Sequence, residues 1–339
     1  RIQPKYLIMF GLIGTAAINL LMSFLPNIQT MTVFWCFNGF FQAMLWPPLV
    51  RIMAESFDKK LYTNACVFVT SVAVAAKIVE YLIASLVVTI AGWRYVFVVS
   101  AALGAIVGII WILGTKNIKS DLSPKKIDAE QKAETSGNLN SVFIVSGLIF
   151  ILVAIILQGM LRDGIEAWMP TFIDDVFNLG SSLSILTTAV LPLFGVLSIS
   201  IATAVYNKIG DELKVSTIFF ALAFVCGCIM IPFFGNKSIF GIIIQIVMIT
   251  LMNGSMHGVN HMLISLLPAH FVKTGKVSTI AGILNACTYV GSAVSTFGFA
   301  AVAEKYGWDK LLIIWTLIAV IGGIICFTCI KKWKKYRED

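Results

Sequence analysis

The chain has 339 residues, 58% of them apolar and only 12% charged, with a formal net charge of +8 and a mean hydropathy of +0.91. Roughly a quarter of the residues of a soluble domain are charged. The composition therefore excludes a water-soluble globular fold and reads as an all-α, polytopic membrane protein, with no nucleic-acid partner behind its positive charge.

Ten apolar stretches are long enough to cross a hydrocarbon core of about 30 Å, which takes around 20 helical residues each. In chain order they lie near 6–26, 32–53, 64–90, 95–114, 142–172, 180–206, 214–234, 238–267, 277–302 and 309–330. The runs are too long and too poor in alternating polarity for barrel strands, so helices that satisfy their own backbones are expected. Four precede a hydrophilic segment at 116–140, rich in Lys, Asp, Glu and Ser, and six follow it. That segment reads as a cytoplasmic linker between an N-terminal bundle at 1–115 and a C-terminal bundle with a basic tail at 141–339. Arg51, Lys59, Lys60, Lys116, Lys125, Lys208, Lys214, Lys273, Lys331 and Arg337 fall on the side carrying the termini, whereas the other side receives only Arg94, Lys237, Lys305 and Lys310. The positive-inside rule then places both ends in the cytoplasm.

The second stretch contains Pro47 and Pro48, which lack backbone donors and are predicted to kink it. In the third, Lys77 and Glu80 lie three residues apart on one helix face. The fifth is the most informative, because an uncharged run from Val142 to Leu161 ends on Arg162. A cation at a helix centre costs about 2.5–3.5 kcal/mol on insertion scales, so it faces a cavity or a partner; the competing reading is a side chain snorkelling to the outer interface. Glu166, one turn on, is the expected resting ion partner of Arg162. In the eighth stretch His257 and His261 are spaced four apart and could share a metal, but no third ligand is evident and hydrogen-bonded packing is expected. His257 also stands as a candidate for substrate contact or protonation. Cys226, Cys228, Cys326 and Cys329 sit in apolar runs without ligand-rich loops and read as packing residues. No metal and no cofactor are expected.

An internal echo runs through the chain. Gly92-Trp93-Arg94 and Gly307-Trp308-Asp309 each open the last span of a half, and Gly108-Ile109-Ile110 recurs as Gly323-Ile324-Ile325 at the same offset. Repeated halves mark many secondary transporters, with the substrate site near the midplane between them. Equal halves would put two more spans before the first, so the sequence is expected to be an N-terminal truncation of a twelve-span protein.

Three strings carry a family resemblance. Phe41-Gln-Ala-Met-Leu-Trp-Pro-Pro48, followed by Arg51, looks like the fourth span of the organophosphate:phosphate antiporters of the major facilitator superfamily. Leu161-Arg-Asp-Gly-Ile-Glu-Ala-Trp-Met-Pro170 is similar to their seventh span and Tyr289-Val-Gly-Ser292 to their eleventh. The resemblance implies a major facilitator fold of two pseudo-symmetric helical bundles, with ten of twelve spans present. It also implies an exchanger of glycerol-phosphate or hexose-phosphate type, moving a phosphorylated small molecule against inorganic phosphate by alternating access.

In that family the arginine matching Arg162 binds the phosphoryl group, a role suited to a permanently charged planar fork, and the tyrosine matching Tyr289 lines the site. Asn253 stands where the family has a cavity-lining tyrosine. Lys77 and Glu80 replace a frequent histidine, either as a neutralised packing pair or with Lys77 assisting Arg162 while Glu80 tunes it or meets a cationic part of the substrate. Trp46 is a further cavity candidate, and Tyr206-Asn-Lys-Ile-Gly-Asp211 looks like a degenerate copy of the superfamily's gating motif.

The implied protein is a non-enzymatic, monomeric antiporter of a bacterial inner membrane, with the lipid bilayer and a small anionic, phosphorylated substrate as its partners. Its rivals are a proton-coupled transporter of another organic anion, working through Glu80 or a histidine, and a membrane sensor of sugar phosphate.

Overall fold

The computed structural model describes residues 3–116, 147–178, 190–272 and 277–338. Its regular elements are helices: α1 (Pro4–Met22), α2 (Ile28–Gln42), α3 (Trp46–Ser56), α4 (Lys59–Ala91), α5 (Trp93–Thr115), α6 (Leu148–Phe177), α7 (Val190–Ile209), α8 (Glu212–Met230), α9 (Ile239–Asn260), α10 (Val277–Tyr306) and α11 (Trp308–Glu338). Among the described residues nine of these are long and apolar enough to cross a membrane. The expected linker beyond Lys116, and the starts of the fifth and sixth apolar stretches, lie outside the described residues.

The second apolar stretch is where pattern and structure differ. A kinked helix is expected at Pro47-Pro48, but the chain breaks into α2 and α3 at Ala43–Leu45, where Met44 N–H and Leu45 N–H turn back to the carbonyls of Phe41 and Gln42. Both prolines then fall in the first turn of α3. There a backbone donor has no intrahelical partner anyway, so a fresh helix start costs less than a proline in mid-helix.

The chain divides into two compact units. The first comprises Arg1–Tyr62, Ala76–Ser136 and Pro268–Gly282, and the second Thr63–Ala75, Gly137–Leu267 and Ile283–Asp339. In the first, α1 and α5 run antiparallel, tied at both ends. Arg94 donates to the carbonyls of Ser23 and Leu25 at 3.1 and 3.0 Å, and Trp111 Nε1 donates to the carbonyl of Lys5 at 3.1 Å. Arg94 satisfies carbonyls past the C-terminus of α1 that the helix end leaves open, whereas the Lys5 carbonyl, in the first turn, takes the indole as an additional donor. Asn19 and Asn38, both buried, join α1 to α2 across the apolar interface at 3.4 Å.

In the second unit α8 packs on α9 and α11, and α9 in turn on α6 and α7. The stretches of α6 and α10 within this unit meet at backbone distance. A Cβ on Gly159 would overlap the carbonyl of Thr288, and one on Gly291 would overlap that of Ile156. Hydrocarbon gives apolar helices no reason to leave lipid for one another, so such small-residue seams, rich in dispersion contacts, hold membrane helices together. Phe172 of α6 then sits against Trp308 and Trp315 of α11, with ring centroids 5.5 and 6.0 Å away. Trp308 Nε1 also donates to Asp175 Oδ2 at 3.0 Å.

Candidate functional site

Arg162 lies at the middle of α6, about 20 Å from either end of a thirty-residue helix at 1.5 Å per residue. A charge so placed on an apolar helix needs a counter-charge or a polar setting. It is met locally: Arg162 Nε and Nη2 donate to the two oxygens of Asp163 at 2.7 and 3.1 Å. Helical spacing assigns this place to Glu166, and the structure corrects it. Glu166 Oε1 instead lies 2.9 Å from His257 Nε2 on α9. The packing of α9 against α6 draws Glu166 away, and the guanidinium fork closes on the nearest carboxylate left to it.

The α9 side of the site is polar and tightly packed. Asn253 is wholly buried, and its Nδ2 donates to the backbone carbonyl of Arg162 at 2.8 Å. Its Oδ1 is buried without a hydrogen-bond partner among the described residues. One turn further, the His257 ring lies against Gly195 of α7, where a Cβ would stand 3.1 Å from the ring. A glycine there lets the imidazole sit flush against the helix.

Gln158 donates from Nε2 to the carbonyl of Met256 at 3.2 Å. Gln158, Arg162 and Glu166 are therefore three successive turns of one helix face, all turned to the site. Gln158 and Asp163, which the structure places beside Arg162, are not among the candidate site residues the sequence pointed to. The four-residue spacing from Gln158 would have found the first, but nothing in the pattern distinguishes Asp163 from a solvated neighbour.

The two histidines do not share a ligand position. His261 Nδ1 lies 3.3 Å from Thr70 Oγ1, and Thr70 itself donates to the carbonyl of Cys66. The hydroxyl proton is thereby committed, so Nδ1 must be the donor in the His261–Thr70 contact and Nε2 is left as a bare acceptor. That Nε2 is buried with no partner among the described residues. At His261 the helix also widens, through Leu266, to a π turn, a local expansion often found at functional sites.

Tyr289 of α10 is 60% exposed and lies within electrostatic range of the Arg162 guanidinium, as does Glu166. Lys77 and Glu80 lie on the stretch of α4 assigned to the first unit, Lys77 half-buried and Glu80 exposed. Trp46 opens α3 in the same unit, with its indole Nε1 buried and without a partner among the described residues. In the second unit the structure thus gathers Arg162, Asn253, His257 and Tyr289, and it carries Lys77, Glu80 and Trp46 on the first.

Comparison with known proteins agrees with this architecture. The chain is 22% identical over 194 residues to a glycerol-3-phosphate transporter of Bacillus subtilis, a match covering 52% of this chain and 44% of the relative. It is 20% identical over 348 residues to a probable hexose phosphate transport protein of Chlamydia trachomatis, covering 95% of this chain and 75% of that one. It thus spans less than half of the Bacillus protein's length. Among solved structures, a bacterial homologue of the iron transporter ferroportin in its outward-facing state superposes with a TM-score of 0.65 over 98% of this chain and 82% of its own, at 10% identity. At that identity the likeness is one of fold. A sequence profile of the Major Facilitator Superfamily matches residues 1–296. With helices, fold and profile in agreement over most of its length, the chain belongs to the Major Facilitator Superfamily of membrane-spanning transporters.

Proposed function

We propose that the chain exchanges an organic phosphate for inorganic phosphate by alternating access. The observation that carries this reading is a guanidinium at the middle of a helix long enough to cross a membrane, its side chain 15% exposed, held in a two-pronged grip by the adjacent carboxylate. A phosphoryl group presents oxygens to the same fork. Its arrival exchanges one anion for another and leaves no bare cation in a medium of low polarity. Asn253 Oδ1, buried and open to a donor, suits a hydroxyl of the organic moiety, and the exposed ring of Tyr289 offers a wall. The two relatives, named for glycerol-3-phosphate and hexose phosphate, support the same substrate class.

This function goes with a monomer in a bacterial inner membrane, its basic loops and both ends of this chain in the cytoplasm. It also goes with the organisation read from the sequence, bundles at 1–115 and 141–339 joined by the segment at 116–140. Lys77, Glu80 and Trp46 are the residues the first unit would bring to the substrate. Coupling requires the anion to bind inward and outward states with different affinity along the cycle.

Purified protein in proteoliposomes preloaded with phosphate is expected to take up labelled phosphate by counterflow, and Arg162→Gln is expected to abolish that uptake. Undiminished counterflow in Arg162→Gln, at equal incorporation, overturns the reading.

A further inference from the structure

We infer that the outer face of α11 is a binding surface for anionic phospholipid, with lysines near the helix's C-terminal end taking the phosphate headgroup and apolar residues before them taking the acyl chains. Arg162 lies about 22 Å along α6 from Gly147, at the level of those lysines. The lipid surface is thus separate from that site and stands whether or not Arg162 binds phosphate.

α11 is longer than a hydrocarbon core requires. It runs from Trp308 to Glu338, 31 residues, or about 46 Å at 1.5 Å per residue. The core takes about 30 Å of that, and the apolar run near 309–330 supplies it. The helix overruns by about two turns, which carry Lys331-Lys-Trp-Lys-Lys-Tyr-Arg337 into the headgroup layer.

Basic residues beside a span follow from the positive-inside bias and by themselves name no ligand. Here the fold sorts them by face. At about 100° per residue, Lys331, Lys332, Lys334 and Lys335 fall on an arc of about 160°, with Trp333 and Arg337 on the opposite side. The four lysines are exposed, whereas Trp333 is wholly buried.

The inner side is fixed in place. Trp333 and Arg337 hydrogen-bond to the turn between α7 and α8, at Gly210, Asp211 and Glu212. Both acids of that turn are buried, so their charge is spent inward. The same end of the unit exposes Lys208 and Lys214. The Lys332 stem lies against Gly147 at the start of α6, where a Cβ would stand 3.2 Å from Cδ. Lys208, Lys214, Lys331, Lys332 and Lys335 have no carboxylate within ion-pairing distance among the described residues. Across 208–214 and 331–339 the sequence has seven basic and four acidic residues, and the sealed Asp211 and Glu212 are two of the four. What faces outward is cationic.

Towards the middle of α11 the same arc turns apolar. Leu317, Ile321, Ile324 and Phe327 fall within it and are all exposed, Ile324 about 10 Å along the axis from Lys331. A soluble phosphate has no use for such a strip, whereas a glycerophospholipid has one part for each half of the face. A zwitterionic headgroup would bring its own cation among the lysines, so the surface selects lipids of net negative charge.

The test uses the whole chain, stripped of lipid in a maltoside detergent. It is titrated with phosphatidylglycerol or with phosphatidylcholine of the same acyl chains, and bound lipid is counted by native mass spectrometry. A lysine near an anionic surface is worth about fivefold in affinity, so two or three acting on one headgroup give an expected preference for phosphatidylglycerol of about tenfold or more. The triple variant Lys331→Gln/Lys332→Gln/Lys335→Gln is expected to bind the two lipids alike. Lys331→Arg/Lys332→Arg/Lys335→Arg is expected to keep the preference. So is Lys237→Gln/Lys305→Gln/Lys310→Gln, which removes the same charge from the other end of the second unit.

A wild type that binds both lipids alike overturns the surface, as does a preference that survives in the glutamine variant of α11 or is lost equally in the Lys237 control. Release of bound phosphatidylglycerol by millimolar inorganic phosphate makes the occupant a soluble anion and overturns it too. Arg162→Gln is expected to keep the preference; its loss there would move the lipid to the Arg162 site and overturn the assignment to α11.

Discussion

The second unit contains two arginines that each stand before a pair of carboxylates, and they are held in opposite ways. Arg337, near the end of α11, donates to the carbonyl of Gly210 at 2.7 Å, to Glu212 Oε2 at 3.2 Å and to Asp211 Oδ2 at 3.0 Å. Glu212 also accepts from Tyr206 and from Trp333. Asp211 caps α8, accepting from the backbone N–H groups of Leu213 and Lys214 at 3.0 Å each. Both carboxylates are buried, and each has more than one donor. Among the described residues Arg162 has a single carboxylate within bonding distance, on the next residue, in a partly open setting beside an amide oxygen that lacks a donor. The chemistry is the same, but the first cluster has its needs met internally and fixes helix ends, whereas the second keeps a partly exposed fork beside an amide oxygen without a donor among the described residues.

The contrast breaks first at Arg162→Lys. The charge survives but the planar fork is lost, and with it about 1.5–3 kcal/mol of charge-assisted bonding. Phosphate counterflow is expected to fall about 100-fold, with the thermal unfolding midpoint close to wild type.

Arg337→Met should show the reverse pattern. It leaves two buried carboxylates without their cation and is expected to cost about 3–5 kcal/mol of stability, read as a lowered unfolding midpoint, while counterflow per folded molecule stays within a few-fold of wild type. Severe loss of exchange in well-folded Arg337→Met would erase the division between holding and transporting.

Trp333→Phe keeps the buried ring but removes one donor from Glu212, so a loss of about 1–3 kcal/mol in the same unfolding assay is expected. The smallest effects are expected on the first unit. Lys77→Met and Glu80→Gln should each lower counterflow several-fold, and the double variant should recover some of the loss if the two side chains act as a pair. Equal activity in all three removes the pair from the site.

Arg162 was legible because a lone cation after twenty uncharged residues has few places to go. Its resting partner was not. Spacing along α6 favours Glu166, and only the packing of α9, with His257 one turn below Asn253, shows that Glu166 is engaged elsewhere. The two prolines announced a disruption, but sequence alone could not separate a kink from a new helix start, because that depends on whether the preceding three residues turn back on themselves. The cluster at Arg337 was hidden for another reason. The stretch ending at Asp211 read as a worn gating motif, whereas Arg337, which reaches Asp211, and Trp333, which reaches Glu212 beside it, arrive from more than a hundred residues away. Membrane character, by contrast, depends on composition over windows of twenty residues and survives the break of the second apolar stretch into two helices.

The crossing at Gly159 and Gly291 works like a dovetail joint. Each helix presents bare backbone to the other's carbonyl, so neither can turn about its own axis without a main-chain collision. Arg162 sits less than one turn past the joint on α6, and Tyr289 lies two residues before it on α10. Any movement of this part of α6 that shifts the arginine must carry the tyrosine with it, as a single blade.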